Sequence, residues 1–335
     1  MKRTMSWLVL LAGITISIFW LWATRYDELP LTATPKTTDF SKGTINLGRQ
    51  LARLGNCKDC HSRENGKPYS GGRPMLTEFG TIYTSNITPE LETGIGGWSL
   101  NAFRRAMQEG VDRHGQYLYP AFPYDRFAKI SETDIAAIYA FIMTSIKPIN
   151  YDPPKTKLKF PWNIRNGLSL WNLLFLDDTK WQADPKHGKE WNTGAYIVEG
   201  IAHCGSCHSP RNIFGAEKRG SQAYSGGYSG NWYAPKLYSD PSSVNSFAKN
   251  SIVNYLLDGW DKNLGIAAGP MTKVVNNLYD GEEDDAFAIA TYIKSLGTPR
   301  IQDDTASSEK KIIALRLLEW GNPKGPSLPK TGKLK

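Results

Sequence analysis

Apolar and polar positions along this chain recur at helical spacing in two similar series. In the first, Leu47, Leu51 and Leu54 share a face and predict a short helix over Gly48–Leu54. Ser99 suits the N-cap of a helix through Leu100, Phe103, Met107 and Val111, and Gly110 marks the end of its regular turns. Ser131 and Asp134 form a capping pair for a helix bearing Ile135, Ile138, Ile142 and Ile146. Between these helices the pattern is loop-like, at Thr77–Pro89 and at the proline-braced Pro120-Ala121-Phe122-Pro123-Tyr124. The second series has helices over Gly194–Ile201, over Ile252–Asp258 with Gly259 after it, and over Asp284–Leu296. Each series also carries Tyr-Ser-Gly-Gly, at Tyr69–Gly72 and Tyr224–Gly227. This repetition predicts a tandem duplication.

Outside the duplication, an uncharged run from Met5 to Ala23 follows Lys2 and Arg3 and ends among Phe19, Trp20 and Trp22. Its length and its interfacial aromatics favour an uncleaved transmembrane anchor over a cleaved export signal. The basic amino end then stays cytoplasmic, which places the chain on the inner (cytoplasmic) membrane with its bulk in the periplasm. The expected divisions are a signal anchor at 1–28, a Thr- and Pro-rich tether at 29–42, a first domain at 43–150 and a connector at 151–188. A second domain at 189–300 and a tail at 301–335 follow. The connector carries a predicted helix over Asn163–Leu176 that packs between domains, and the tail a short one near Ile312–Leu318. The fold expected is mainly α, two tandem domains behind an N-terminal transmembrane helix.

Composition narrows the partners. The chain has 335 residues, enough for about two domains, with 11 Trp and 16 Tyr that suit the walls of a large flat cofactor as well as ordinary cores. A net charge of +8 is spread along the chain rather than clustered, so nucleic acid is not expected. Anionic head groups or an acidic redox partner fit such a charge, as does plain solvated surface.

The chemistry is concentrated in the cysteines. All 4 lie in two copies of Cys-x-x-Cys-His, Cys57-Lys58-Asp59-Cys60-His61 and Cys204-Gly205-Ser206-Cys207-His208. Two thiols one turn apart with an adjoining imidazole can fix a porphyrin edge and its iron together, so each copy reads as a c-type haem attachment site. A zinc knuckle, a redox dithiol or a disulfide would explain a single Cys-x-x-Cys, but not the His in both copies. Two covalently bound haem c groups are expected, with His61 and His208 as proximal ligands.

The distal ligands are less plainly written. Gly269-Pro270-Met271 reads as a loop between the middle and closing helices of the second series, which makes Met271 the candidate sixth ligand of the second haem. Aligning the repeats puts Phe122 at or within one residue of Met271, and Phe cannot ligate iron. For the first haem Met107 is the leading candidate, Met75 the second, and an open iron the remaining alternative. His114 reads as a surface residue, Met143 as core and His203 as structural; Arg73, Arg211, Trp232 and Trp260 are candidates for the haem propionates.

Several stretches together resemble the cytochrome c subunits of membrane-bound bacterial dehydrogenases. They are Phe79–Tyr83 with Asn86–Pro89, Thr93–Trp98, Leu118–Tyr124, Trp171–Phe175, His203–Arg211 and Gly269–Met271, and they cover most of residues 45–297. The resemblance implies two small helical class I cytochrome c-like domains carrying electrons from a molybdenum or quinoprotein dehydrogenase toward quinone, another cytochrome or an oxidase. Members of the alcohol dehydrogenase type carry a third haem domain and an axial Met where this chain has Phe122, and Phe at that place is similar to the molybdenum branch. A non-catalytic electron carrier is therefore expected. A dihaem peroxidase with an open first haem is the alternative.

Overall fold

The computed structural model describes residues 2–238 and 241–296. The predicted helix near Ile312–Leu318 and the tail lie outside the described residues. Two compact units are formed. The first takes the residues up to Gly48, His61–Ala128 and Glu132–Thr179; the second takes Arg49–Cys60, Lys129–Ser131 and the residues from Lys180 onward.

In chain order the helices and strands are α1 (Lys2–Ala23), α2 (Lys42–Leu54), α3 (Cys57–Cys60), β1 (Pro74–Thr77), β2 (Gly80–Tyr83), α4 (Leu100–Glu109), α5 (Tyr124–Phe127) and α6 (Glu132–Ser145). The connector supplies β3 (Lys157–Leu158) and α7 (Leu168–Phe175). Then follow α8 (Lys189–Tyr196), α9 (Gly205–His208), β4 (Gly227–Ser229), β5 (Trp232–Ala234), α10 (Lys249–Asp258), β6 (Trp260–Asp261), β7 (Gly265–Ile266), α11 (Pro270–Tyr279) and α12 (Glu283–Ser295). Helices dominate, and the short strands form one three-stranded and two two-stranded antiparallel sheets among the described residues. The stretch read as a loop at Thr77–Pro89 contains β2, which pairs with β1 on one side and with β3 on the other.

The transmembrane anchor is not supported. Among the described residues no helix is long and apolar enough to cross a membrane, which overturns the expected N-terminal transmembrane helix and the inner-membrane, periplasmic placement derived from it. The uncharged run does form α1, but Ser6, Gly13, Thr15 and Ser17 dilute its apolar content. The Thr15 and Ser17 hydroxyls are turned back onto the Leu11 and Gly13 carbonyls. The end of α1 is seated in the first unit: Ala23 is buried, and Arg25 donates to the Tyr117 hydroxyl at 3.0 Å.

Ser99, Gly110 and Gly259 cap their helices as the sequence suggests. Ser99 Oγ accepts from the Ala102 N–H at 3.1 Å, and Gly110 closes α4 in the left-handed region at φ 64°. Gly259 closes α10 in the same way at φ 71°. Glu283, Asp284 and Asp285 crowd the first turn of α12, where acidic charge meets the positive end of the helix dipole.

The leading and closing helices of each half cross at a glycine. A Cβ on Gly48 would lie 1.8 Å from the Ala137 carbonyl oxygen, and one on Gly194 would lie 1.9 Å from that of Ala288. Gly48 and Gly194 are thus equivalent, as are Asn56 and His203, the left-handed residues directly before each first cysteine. The second stretch is longer by one residue. That extra residue is taken up as a π-turn at Ile197–Ile201, the usual way a helix absorbs an insertion.

The connector helix belongs to the first unit rather than between two domains. Trp171 on α7 meets the Tyr124 ring edge-on, and Asn172 accepts from the buried Tyr124 hydroxyl at 2.6 Å while donating to the Glu109 carbonyl. The helix predicted over Asn163–Leu176 shortens to Leu168–Phe175 behind a 3₁₀ turn at Arg165–Gly167.

Candidate functional site

Each Cys-x-x-Cys-His folds as a single helical turn, which puts its two thiols on one side. None of the four cysteines is in a disulfide, and each is partly exposed. Burial and the neighbouring Cys60 push the Cys57 thiol up to about 12, and burial raises Cys207. A reactive dithiol is favoured by a lowered thiol pKa, and the shifts at Cys57 and Cys207 run the other way. Among the described residues no group of three or more His, Cys, Asp or Glu side chains gathers as a metal site.

The two histidines are held alike. His61 Nδ1 lies 2.7 Å from the Ser85 carbonyl oxygen, and His208 Nδ1 lies 2.7 Å from that of Pro235. A carbonyl only accepts, so each Nδ1 carries the proton and each Nε2 keeps its lone pair. This is how iron- and zinc-ligating imidazoles are oriented from behind. Burial lowers both imidazole pKa values, while the carbonyls act in the opposite, weaker sense. The neutral ring that a metal requires is therefore favoured.

Behind each histidine the backbone is locked by the same turn. The His61 carbonyl accepts from the Gly71 N–H at 2.7 Å and the His208 carbonyl from the Gly226 N–H at 2.8 Å. Ser62 Oγ accepts from the Tyr69 N–H at 3.0 Å, and Ser209 Oγ from the Tyr224 N–H at 2.9 Å. Tyr69 and Tyr224 both sit at positive φ, 62° and 58°. The repeated Tyr-Ser-Gly-Gly is thus a device for holding the histidine of each motif. Ser62 and Ser209 escape the sequence reading, although a Ser after both His is a visible repeat. Ser85 and Pro235 act through their carbonyls, so no side-chain signal marks them.

Met271 lies not in a loop but in the first turn of α11, with Pro270 at its first position. Proline's fixed φ and missing N–H suit that position, so the residue read as a brace starts a helix. Trp232 packs against Gly269, where a Cβ would come within 2.4 Å of the indole. The backbones of the two halves match up to this point. Leu118 N–H donates to the Gly110 carbonyl as Ala267 does to Gly259, and Phe122 N–H donates to the Tyr119 carbonyl as Met271 does to Ala268. Phe122 therefore occupies the backbone place of Met271, its ring against Tyr124 and Phe127.

Met107 is 5% exposed on the buried face of α4, three residues before Gly110, as the buried Leu256 is three before Gly259. Met75 is half-buried on β1 opposite Ile82. Met143 is in the core of α6, and exposed His114 pairs with Glu28 at 3.3 Å. Arg211 spends its guanidinium on the Ser206 and Gly215 carbonyls, bracing the second motif. Arg73 is half-buried, while Trp232 and Trp260 are exposed. Beside the second motif the buried Ser206 Oγ and Asn212 Nδ2 have no hydrogen-bond partner, as expected of a site completed by a non-protein group.

Over residues 45–145 the chain matches the family described as cytochrome c. A dihaem cytochrome c-type protein of Cereibacter sphaeroides is 33% identical over 294 residues, covering 86% of this chain and 95% of that one. The chain belongs to the cytochrome c family. It is also similar to a nicotinate dehydrogenase subunit of Pseudomonas putida, 42% identical over 304 residues, 89% of this chain and 25% of the relative. The fructose dehydrogenase cytochrome subunit of Gluconobacter japonicus is 34% identical over 284 residues, 84% of this chain and 58% of that subunit. The chain thus spans a quarter of the first of these two relatives and under two thirds of the second. Membership makes haem c its cofactor, and several of the relatives are named as cytochrome subunits of dehydrogenases.

Proposed function

We propose that the chain carries two covalent haem c groups and passes single electrons from a dehydrogenase catalytic subunit to quinone, another cytochrome or an oxidase. Cys57 and Cys60 hold one haem by thioether bonds, and Cys204 and Cys207 hold the other. His61 and His208 are the proximal ligands. Met271 is the distal ligand at the second site, and Met107, ahead of Met75, is the candidate at the first. The catalytic partner is a dehydrogenase of the molybdenum or quinoprotein kind that the resemblance implies. Haem supplies an iron that cycles between ferrous and ferric; the chain's own residues hold it, orient the imidazoles and keep them neutral.

The observation that carries the reading is the matched pair of imidazoles, each with Nδ1 donated to a main-chain carbonyl and Nε2 left for a metal. The name of the dihaem relative and the cytochrome subunit names of others support it. Pyridine haemochrome assay of the full chain, produced with a cytochrome c maturation system, should give two haems per chain. The Cys57→Ala/Cys60→Ala variant should give one. A colourless protein, or one holding zinc on its sulfurs, overturns the proposal.

A further inference from the structure

The second unit contains more than the second motif. Residues Arg49–Cys60, with the first pair of cysteines, belong to it, and the chain passes to the first unit between Cys60 and His61. Inside the second unit, the turn that carries Cys57 and Cys60 is bound from two directions.

One contact comes from the second motif. His203 directly precedes Cys204, and its Nε2 lies 3.3 Å from the Gly55 carbonyl oxygen, two residues before Cys57. The approach is close all along this turn: a Cβ on Gly55 would meet Ile201 Cδ1 at 3.3 Å and Cys57 Sγ at 3.5 Å. His203 holds a left-handed backbone at φ 41°, an uncommon conformation for His that aims the ring across to the neighbouring turn.

The other contact comes from α11, the helix that begins with Pro270 and Met271. Asn277 Nδ2 donates to Asn56 Oδ1 and to Asp59 Oδ2, each at 2.8 Å. Lys273 Nζ pairs with Asp59 at 3.2 Å, and Arg53 donates to the Asp280 carbonyl. Asn56 is buried and also left-handed, so its amide is fixed rather than adaptable. The helix bearing one proposed distal ligand is therefore keyed to the turn that would bond the other haem.

We infer that these contacts hold the two attachment turns in register for direct electron exchange, with His203 and Asn277 as positioning residues. The inference rests on the dihaem reading. One electron passes from a ferrous haem at one motif to a ferric haem at the other, oxidising the first and reducing the second; no bond is made or broken and no proton is needed. A covalent and hydrogen-bonded route between the motifs runs from Cys57 through Asn56 and the Gly55 carbonyl to His203 and Cys204. This gives His203 a role that plain packing would not require.

The test is pulse radiolysis of the haem-loaded full chain with less than one equivalent of methyl viologen radical. Internal exchange appears as a second absorbance phase whose rate is independent of protein concentration. His203→Asn keeps a residue that tolerates the left-handed backbone, as Asn56 does in the first half, but shortens the side chain beyond reach of Gly55. That phase should slow by about three- to tenfold, the population change that loss of one hydrogen bond produces. Haem content and both midpoint potentials should stay unchanged, which a merely structural role would not predict. Asn277→Ala, on the half-buried face of α11, should act in the same direction. An unchanged phase in both variants, or its absence from the wild type, overturns the inference. The haem count per chain reports separately on the dihaem reading.

Discussion

Replacing Gly194 by Ala sets two known effects against each other. In a helix interior Ala is better than Gly by about 1 kcal/mol, so α8 on its own would gain. Against this, the new Cβ would lie 1.9 Å from the Ala288 carbonyl oxygen, 2.5 Å from its carbon and 3.0 Å from Tyr292 Cβ. Two of those three atoms are backbone of α12, which has no rotamer with which to yield. Restoring an ordinary contact would part the helices by roughly 1.5 Å in a core packed to crystal density. Overpacking of this kind costs about 1–3 kcal/mol, and the rigid carbonyl puts it at the upper end, so the net loss is about 2 kcal/mol. At a urea m-value of about 3 kcal/mol/M that lowers the midpoint by roughly 0.7 M, read by circular dichroism on the haem-loaded protein. Gly43→Ala is the control, because its Cβ would meet only Ser41 Oγ, at an ordinary 3.6 Å. A Gly194→Ala protein as stable as wild type would refute the crossing geometry and the equivalence with Gly48 built on it.

Other outcomes follow from the histidine sites. The folded pKa of His208 lies below its ordinary 6.5 because of burial, so the unfolded chain binds more protons. Its stabilising contribution is present above about pH 6.5 and is lost as pH falls through the lower folded value. Acid titration of the haem absorption should show ligand release centred below that point, and a transition above it contradicts the assignment. Ser209→Ala leaves the Tyr224 N–H buried without an acceptor and should cost about 1–3 kcal/mol in urea unfolding, and an unchanged midpoint would show that the turn does not depend on it. Met271→Leu should remove Met-to-iron charge transfer from one ferric haem, and Met107→Leu from the other; an unaltered spectrum strikes out the residue concerned.

What the sequence discloses and what it withholds divide along physical lines. Ser99, Gly110 and Gly259 are readable because a cap needs a particular residue type at a particular place. Duplication is readable from the haem motifs and the two Tyr-Ser-Gly-Gly turns. The helix α11 escapes although Met271, Val274, Val275 and Leu278 follow one face, because Gly-Pro reads as a loop signal when Pro also opens helices. The π-turn at Ile197–Ile201 is not legible, since one inserted residue leaves no mark on the hydrophobic period. The strand β3 gives no signal in two residues of a proline-rich connector. The apolar run of α1 shows the opposite failure, in which length and freedom from charge stand in for apolar content.

Duplication has preserved one side of the two sites and changed the other. The histidine surroundings agree in a backbone carbonyl on Nδ1, a serine on the tyrosine N–H and a glycine N–H on the histidine carbonyl. The segments before the closing helices share a backbone place but put Phe122 in one and Met271 in the other. A methionine sulfur favours the ferrous state and raises the reduction potential, whereas a phenyl ring offers iron nothing. Under the dihaem reading, the first iron takes its sulfur from Met107 on α4 and the second from Met271 on α11, so like imidazoles face methionines carried by different elements, and unequal potentials between the two irons would give electron flow a direction. The His203–Gly55 contact would supply the route, and the relocation of the distal methionine the gradient along it. If the two midpoint potentials coincided in the wild type, and Met271→Leu failed to lower one of them, the distal difference would have no part in directing the electron.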